Sequence, residues 1–199
     1  MNILLNALPS AVEIGGIRYP INSDFRAGIA FECSKMNTEE EICKILTLYF
    51  GDNFPEDLRG ALEAIANFYS CGEKREKTTP SPKGKRAYSF EDDSEIIFSD
   101  FWREYNIDLS QESLHWWAFR ALLSGLSEKS EFKQRVYYRT CDLAGMPKKE
   151  RERIMKIRSR IAIKTGEKAK LTLEERNARM KAYVQKRQRE TGEGGTING

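Results

Sequence analysis

LHWWAFRALLSGL, residues 114–126, holds the chain's single histidine, His115, and two of its three tryptophans, Trp116 and Trp117. Its reading decides between two different molecules. One has a catalytic or metal-binding imidazole backed by aromatic rings; the other has simply the most buried helix of an α-helical domain. At about 100° per residue, Leu114, Trp117, Ala118, Ala121, Leu122, Gly125 and Leu126 make one apolar stripe. Phe119 and Leu123 widen it, leaving Ser113, Arg120 and Ser124 as a polar sliver. A helix apolar around most of its girth belongs at the centre of a bundle. His115 then falls in the apolar sector near Leu122 and Leu126, as a core histidine with one satisfied hydrogen bond. Leu109 and Leu114 flank Ser110 at the spacing of a hydrophobic staple, which starts the helix near Ser110. Trp116 falls at the border beside Arg120, four residues on, where a guanidinium can stack on an indole.

Upstream, VEIGGIRYPI (12–21) alternates apolar and polar residues around Gly15-Gly16, the pattern of a two-residue hairpin. Val12, Ile14, Ile17, Tyr19 and Ile21 share one face, which must lie on helices because a lone hairpin is unstable. Four helical patterns follow. The first carries Phe25, Ile29, Cys33 and Met36. The second opens with a Thr38/Glu41 capping box, carries Ile42, Ile45, Leu46 and Tyr49, and stops at Gly51. The third carries Leu58, Ala61, Leu62, Ile65 and Tyr69 and ends at Gly72. The fourth has Ser89 as its N-cap, the acids Glu91, Asp92 and Asp93 complementing the helix dipole on a solvated turn, and Phe90, Ile97, Phe101 and Tyr105 inward. Residues 72–87, with two prolines and six Lys/Arg against two Asp/Glu, read as a flexible basic loop.

Beyond the central helix, Phe132, Val136 and Leu143 turn inward and Gly145 ends the pattern. After Pro147 the character changes. Ile154, Ile157 and Ile161 make a narrow seam, and a second capping box, Thr172/Glu175, opens a helix carrying Leu173, Met180 and Val184. Seams this narrow cannot hold helices alone. The expected architecture is mainly α: a helical bundle with a small N-terminal β-hairpin and a basic C-terminal helical extension. Its parts are a mostly helical core over 10–146, basic helices over 147–190 and a disordered tail over 191–199.

Composition narrows the function. Residues 147–190 hold 16 Lys/Arg against 6 Asp/Glu, so an overall charge of +3 conceals an acidic body with basic appendages. No apolar run is long enough to span a membrane, and the N-terminus lacks the basic start and long apolar stretch of a signal peptide, so residence in a cytoplasm is expected. Four scattered cysteines, Cys33, Cys43, Cys71 and Cys141, contain no C-x-x-C and read as reduced packing residues. Phosphate-binding, dinucleotide, nucleophile-elbow and zincin motifs are all absent. No enzymatic activity, metal or cofactor is expected. Two classes remain: association with a helical protein partner, or nucleic-acid binding by the basic C-terminal helices, which the mixed charges and missing aromatic platform disfavour.

NSDFR (22–26), YSFEDDSEIIFSDFWREYNIDL (88–109) and LHWWAFRALLSGL resemble the siphophage family named for gene product fifteen, over roughly residues 10 to 160. The resemblance implies a tail assembly chaperone, absent from the mature virion, acting in the host cytoplasm. Such a protein binds the tape-measure protein, keeps it soluble, helps recruit tail-tube protein and can associate with itself. No catalytic residue transfers with it. The residues expected to touch a partner are Trp116, Arg120, Ile154, Ile157, Ile161, Met180 and Val184.

Overall fold

Paired glycines set the first element. Gly15 and Gly16 lie at φ 58° and 81°, the left-handed region that a tight hairpin turn requires. They join β1 (Ala11–Ile14) to β2 (Ile17–Pro20), with Ile14 opposite Ile17 and Val12 opposite Tyr19. Pro20 stands opposite Ala11, outside the ladder bonds, and so withholds an N–H from the outer edge of β2. The computed structural model describes residues 3–36, 38–51, 55–72, 86–164, 177–178 and 180–185. It is mainly helical, with this antiparallel hairpin at the N-terminal end. Most of the basic loop, the 172–175 capping box and the 191–199 tail lie outside the described residues. Among the described residues no helix is long and apolar enough to cross a membrane.

The chain divides into two compact units: residues 1–74, 114–117 and 170–199, and residues 75–113 and 118–169. The first unit holds the hairpin, α1 (Phe25–Cys33), α2 (Glu39–Phe50) and α3 (Leu58–Tyr69). The Thr38/Glu41 capping box forms at the start of α2, which buries Ile42, Ile45, Leu46 and Tyr49 and stops at Gly51. Helix α1 turns otherwise than expected. It buries Phe25, Ala27, Gly28 and Phe31, while Ile29 and Cys33 are half-buried. Helix α3 packs on β1 and also buries Phe68, which contacts Tyr49 edge-on at 6.3 Å. Tyr49 is 1% exposed and its hydroxyl has no partner among the described residues; burial pushes its phenol pKa up. Residues 177–178 and 180–185 are helical and bury Met180, Tyr183 and Val184, with Tyr183 Oη 3.2 Å from Cys43 Sγ.

Two separated stretches complete this unit. Asp24 and His115 form an antiparallel bridge, in which Phe25 N–H donates to Leu114 O (2.8 Å) and Trp116 N–H to Ser23 O (2.7 Å). Asn22 ties the bridge to the end of α2: its backbone N–H donates to Tyr49 O and its Nδ2 to Leu48 O. Asp24 caps α1 by accepting from Arg26 N–H. The adjacent tryptophans then close the end of α3, where helical carbonyls lack intrahelical donors. Trp116 Nε1 donates to Tyr69 O (2.8 Å) and Trp117 Nε1 to Phe68 O (2.7 Å).

Helix α5 (Trp116–Gly125) therefore starts six residues later than the staple spacing predicts. Residues 106–114 form no helix; Asp108 accepts instead from the backbone N–H and hydroxyl of Ser110, making a side-chain turn. His115 occupies the cap position, its Nδ1 accepting from Trp117 N–H (3.0 Å) and its Nε2 facing Pro9 O (3.0 Å). That geometry fixes the neutral tautomer with hydrogen on Nε2. The imidazole is half-buried against Phe68 and Trp117, not among Leu122 and Leu126. The buried face of α5 is Trp116, Phe119 and Leu123, followed by Leu126.

The second unit contains the rest of α5 with α4 (Ser94–Tyr105), α6 (Glu131–Thr140) and α7 (Lys148–Arg160). Helix α6 packs against both α4 and α7. It ends at Thr140, before Gly145, and its inward residues are Phe132 and Arg139. The expected solvated acidic turn proves partly internal. Asp93 is fully buried and holds Arg139, itself 7% exposed, through Oδ2–Nη1 at 2.6 Å and Oδ1–Nη2 at 2.9 Å. Arg139 also donates to Ala87 O and Ile161 O, while Ser89 N–H donates to Asp93. Ser89 stabilises the turn at 89–92 and α4 begins at Ser94. Buried Asp100 pairs with Arg103 and accepts from Phe132 N–H at 2.8 Å, fixing α4 to the start of α6.

Two predictions follow from this packing. A Cβ on Gly28 would overlap the Trp116 ring, so Gly28→Ala should lower stability by about 1–3 kcal/mol or more in urea denaturation. Arg139→Met leaves the buried Asp93 carboxylate only the longer 3.5 Å contact with Arg135 and the Ser89 N–H, and should cost about 3 kcal/mol; adding Asp93→Leu should recover part of that loss.

Candidate partner-binding surface

The residues expected from sequence to touch a partner are mostly covered by the chain itself. Trp116 is 0% exposed, stacked on Tyr69 with ring centroids 5.2 Å apart, and is no border residue. Ile154 is 3% exposed and is the buried side chain of α7; Met180 and Val184 are buried in the first unit. Arg120, Ile157 and Ile161 are half-buried. The seven positions are divided between the units: Trp116, Met180 and Val184 belong to one, the other four to the other.

A different pair faces outward. Helix α4 turns Ile97, Asp100 and Phe101 into the second unit, so the positions one residue further on leave it. Those positions are Phe98 and Trp102, one helical turn apart, 38% and 51% exposed, with rings stacked at 6.3 Å and 25°. With Ser99 and Asp108 they line a shallow open depression. Tyr137 on α6 and Met155 on α7 are also exposed, but singly. The sequence contained the signal for the pair: two large aromatics four residues apart and off the 97/101/105 stripe. Two aromatics left in water on one helical face suit a partner more than a core.

The helix beneath them is held firmly. Phe101 stacks on Phe119 at 5.2 Å, and Tyr105 Oη donates to Leu122 O at 2.9 Å. Ser127 donates its N–H (2.9 Å) and hydroxyl (2.7 Å) to Glu104, holding that carboxyl below the usual range. Ser110 does the same for Asp108, first through its hydroxyl and then through its N–H. Exposed Glu95 precedes Phe98 by one turn, so anions flank the aromatic pair on both sides. Such a face can bind an apolar helical stripe bordered by cations. His115 offers no alternative site, since both ring nitrogens are occupied by backbone partners.

The family model described as Bacteriophage Gp15 protein matches residues 4–163, which include the hairpin, the 24/115 bridge and the Phe98–Trp102 face. No curated protein matches the chain, and no solved structure does.

Trp102→Ala removes an exposed ring whose stacking partner, Phe98, is itself exposed, so its unfolding free energy in urea should fall by no more than about 1 kcal/mol. Glu104 titrates lower when folded than when unfolded. Its bonds to Ser127 therefore stabilise the fold above the ordinary carboxylate range, and that contribution is lost as the pH falls through the depressed folded value. The stability gap between the unsubstituted chain and Glu104→Gln should be largest near neutral pH and close in acid.

Proposed function

The chain belongs to the Bacteriophage Gp15 protein family, and from that premise we propose that it is a tail assembly chaperone acting in the host cytoplasm. It covers apolar helical stripes of the tape-measure protein, keeps that protein soluble until tail-tube protein is recruited, and leaves before the virion is complete. The observation that supports this reading best is the outward pair Phe98–Trp102, presented on an anchored helix between carboxylates. A holdase needs modest, repeated contacts that can be displaced, and a small rigid aromatic face meets that need without a deep cleft.

The contact assignment moves from the C-terminal seams to α4. Ile154, Met180 and Val184 help hold their own units together, so their substitution would disturb the fold before any partner. The test is co-expression with the tape-measure protein, scored as the fraction of that partner recovered soluble. Phe98→Ala/Trp102→Ala should lower the recovery several-fold while the variant itself remains folded. Equal recovery with and without the aromatic pair removes α4 as the client surface; no solubilisation by the unsubstituted chain removes the chaperone reading.

A further inference from the structure

The second unit carries opposite charges on two different exposed faces. Residues 86–113, which include α4, hold two Lys/Arg and eight Asp/Glu; residues 147–164, which include α7, hold eight Lys/Arg and two Asp/Glu. On α7, Ile154 faces inward. Lys149, Arg153, Lys156 and Arg160 fall at i, i+4, i+7 and i+11, on one stripe of the helix. All four are exposed, and among the described residues none has a carboxylate within ion-pair distance. Met155, 57% exposed, falls on another side of α7 and is no part of the stripe. The α4 face is its complement: two aromatic rings flanked by Glu95 and Asp108. Cationic side chains are favoured neighbours of exposed indole faces.

We propose that the α4 face of one copy is covered by the cationic α7 stripe of a second copy, giving a head-to-tail association. Because the two faces differ, a docked pair still presents one free face of each kind, one on each copy. The contact therefore propagates until a ring closes or a filament grows. The inference rests on α4 being a docking face, as in the proposed function, but concerns its occupant when no client is present. A client stripe then competes with α7 for the same aromatic pair, so self-association and client binding exclude each other.

The experiment uses the purified full chain alone in sedimentation velocity. The unsubstituted chain should sediment faster as concentration rises and revert toward monomer in high salt, because the flanking ion pairs are exposed and screened. Phe98→Ala/Trp102→Ala and Arg153→Glu/Lys156→Glu should each be monomeric alone. Mixed, they should form a one-to-one dimer and nothing larger, since only one intact face of each kind remains. A monomeric unsubstituted chain overturns the proposal, and so does a mixture that stays monomeric. Assembly of the unsubstituted chain that survives both pairs of substitutions overturns it too. If the α7 variant changes only retardation of duplex DNA, the stripe serves a polyanion and the proposal fails. Client recovery on co-expression is a separate readout, so loss of self-association leaves the chaperone reading standing or falling on its own.

Discussion

Two neighbouring indole N–H groups meeting two consecutive carbonyls at the end of α3 are the constraint on which the first unit depends. Helix ends leave carbonyls that need donors, and a buried carbonyl without one costs about 1–3 kcal/mol. Trp116 supplies the donor for Tyr69 O and Trp117 adds a second for Phe68 O, which also accepts from Cys71 N–H, from positions 47 and 49 residues away in sequence. The indoles reach only because the 24/115 bridge fixes where α5 starts and because Gly28 lets the Trp116 ring lie flat against α1. The NSDFR and LHWW segments are therefore two halves of one joint. His115 belongs to that joint as a cap, with its polarity spent on Pro9 and Trp117.

Much of the fold was legible in the chain, where a local pattern decides the outcome. The Gly15-Gly16 hairpin, the Thr38/Glu41 capping box and the Ile42/Ile45/Leu46/Tyr49 face all follow from short-range rules, and all appear. The failures share a cause: long-range partners overrode a local signal. A staple at Leu109/Leu114 competes with the Asp108–Ser110 turn and with the bridge to Asp24, and loses. The acids at 91–93 resemble a solvated first turn, yet Asp93 faces Arg139, 46 residues on, and is buried with it. Arg139 itself looked like any other cation of a charged helix. The site was less legible still. Apolar seams at 154/157/161 and 180/184 look unpartnered in sequence, but the chain's own units cover Ile154, Met180 and Val184. The aromatic pair at 98/102 drew no notice because it lies beside a stripe already assigned to the core.

Charge and apolarity are combined differently on the two outward faces of the second unit. On α4, aromatic surface is central and carboxylates are peripheral; on the exposed stripe of α7, four cations stand alone. Weak, salt-sensitive and reversible contacts are the physical expectation for both. Pro20 on the outer edge of β2 adds a restriction in the same direction, because strand-to-strand addition there lacks a donor.

The Asp24–His115 bridge also bears on how the molecule is made. Ninety-one positions separate its two residues, and nearly half of the second unit lies within the loop it closes. On a ribosome the N-terminal helices emerge long before the segment that completes them, so the end of α3 must wait in water until Trp116 and Trp117 leave the exit tunnel. The first unit is thus begun early and completed later still, since it also buries Met180, Tyr183 and Val184, and a chain cut short anywhere before them cannot finish even its opening half.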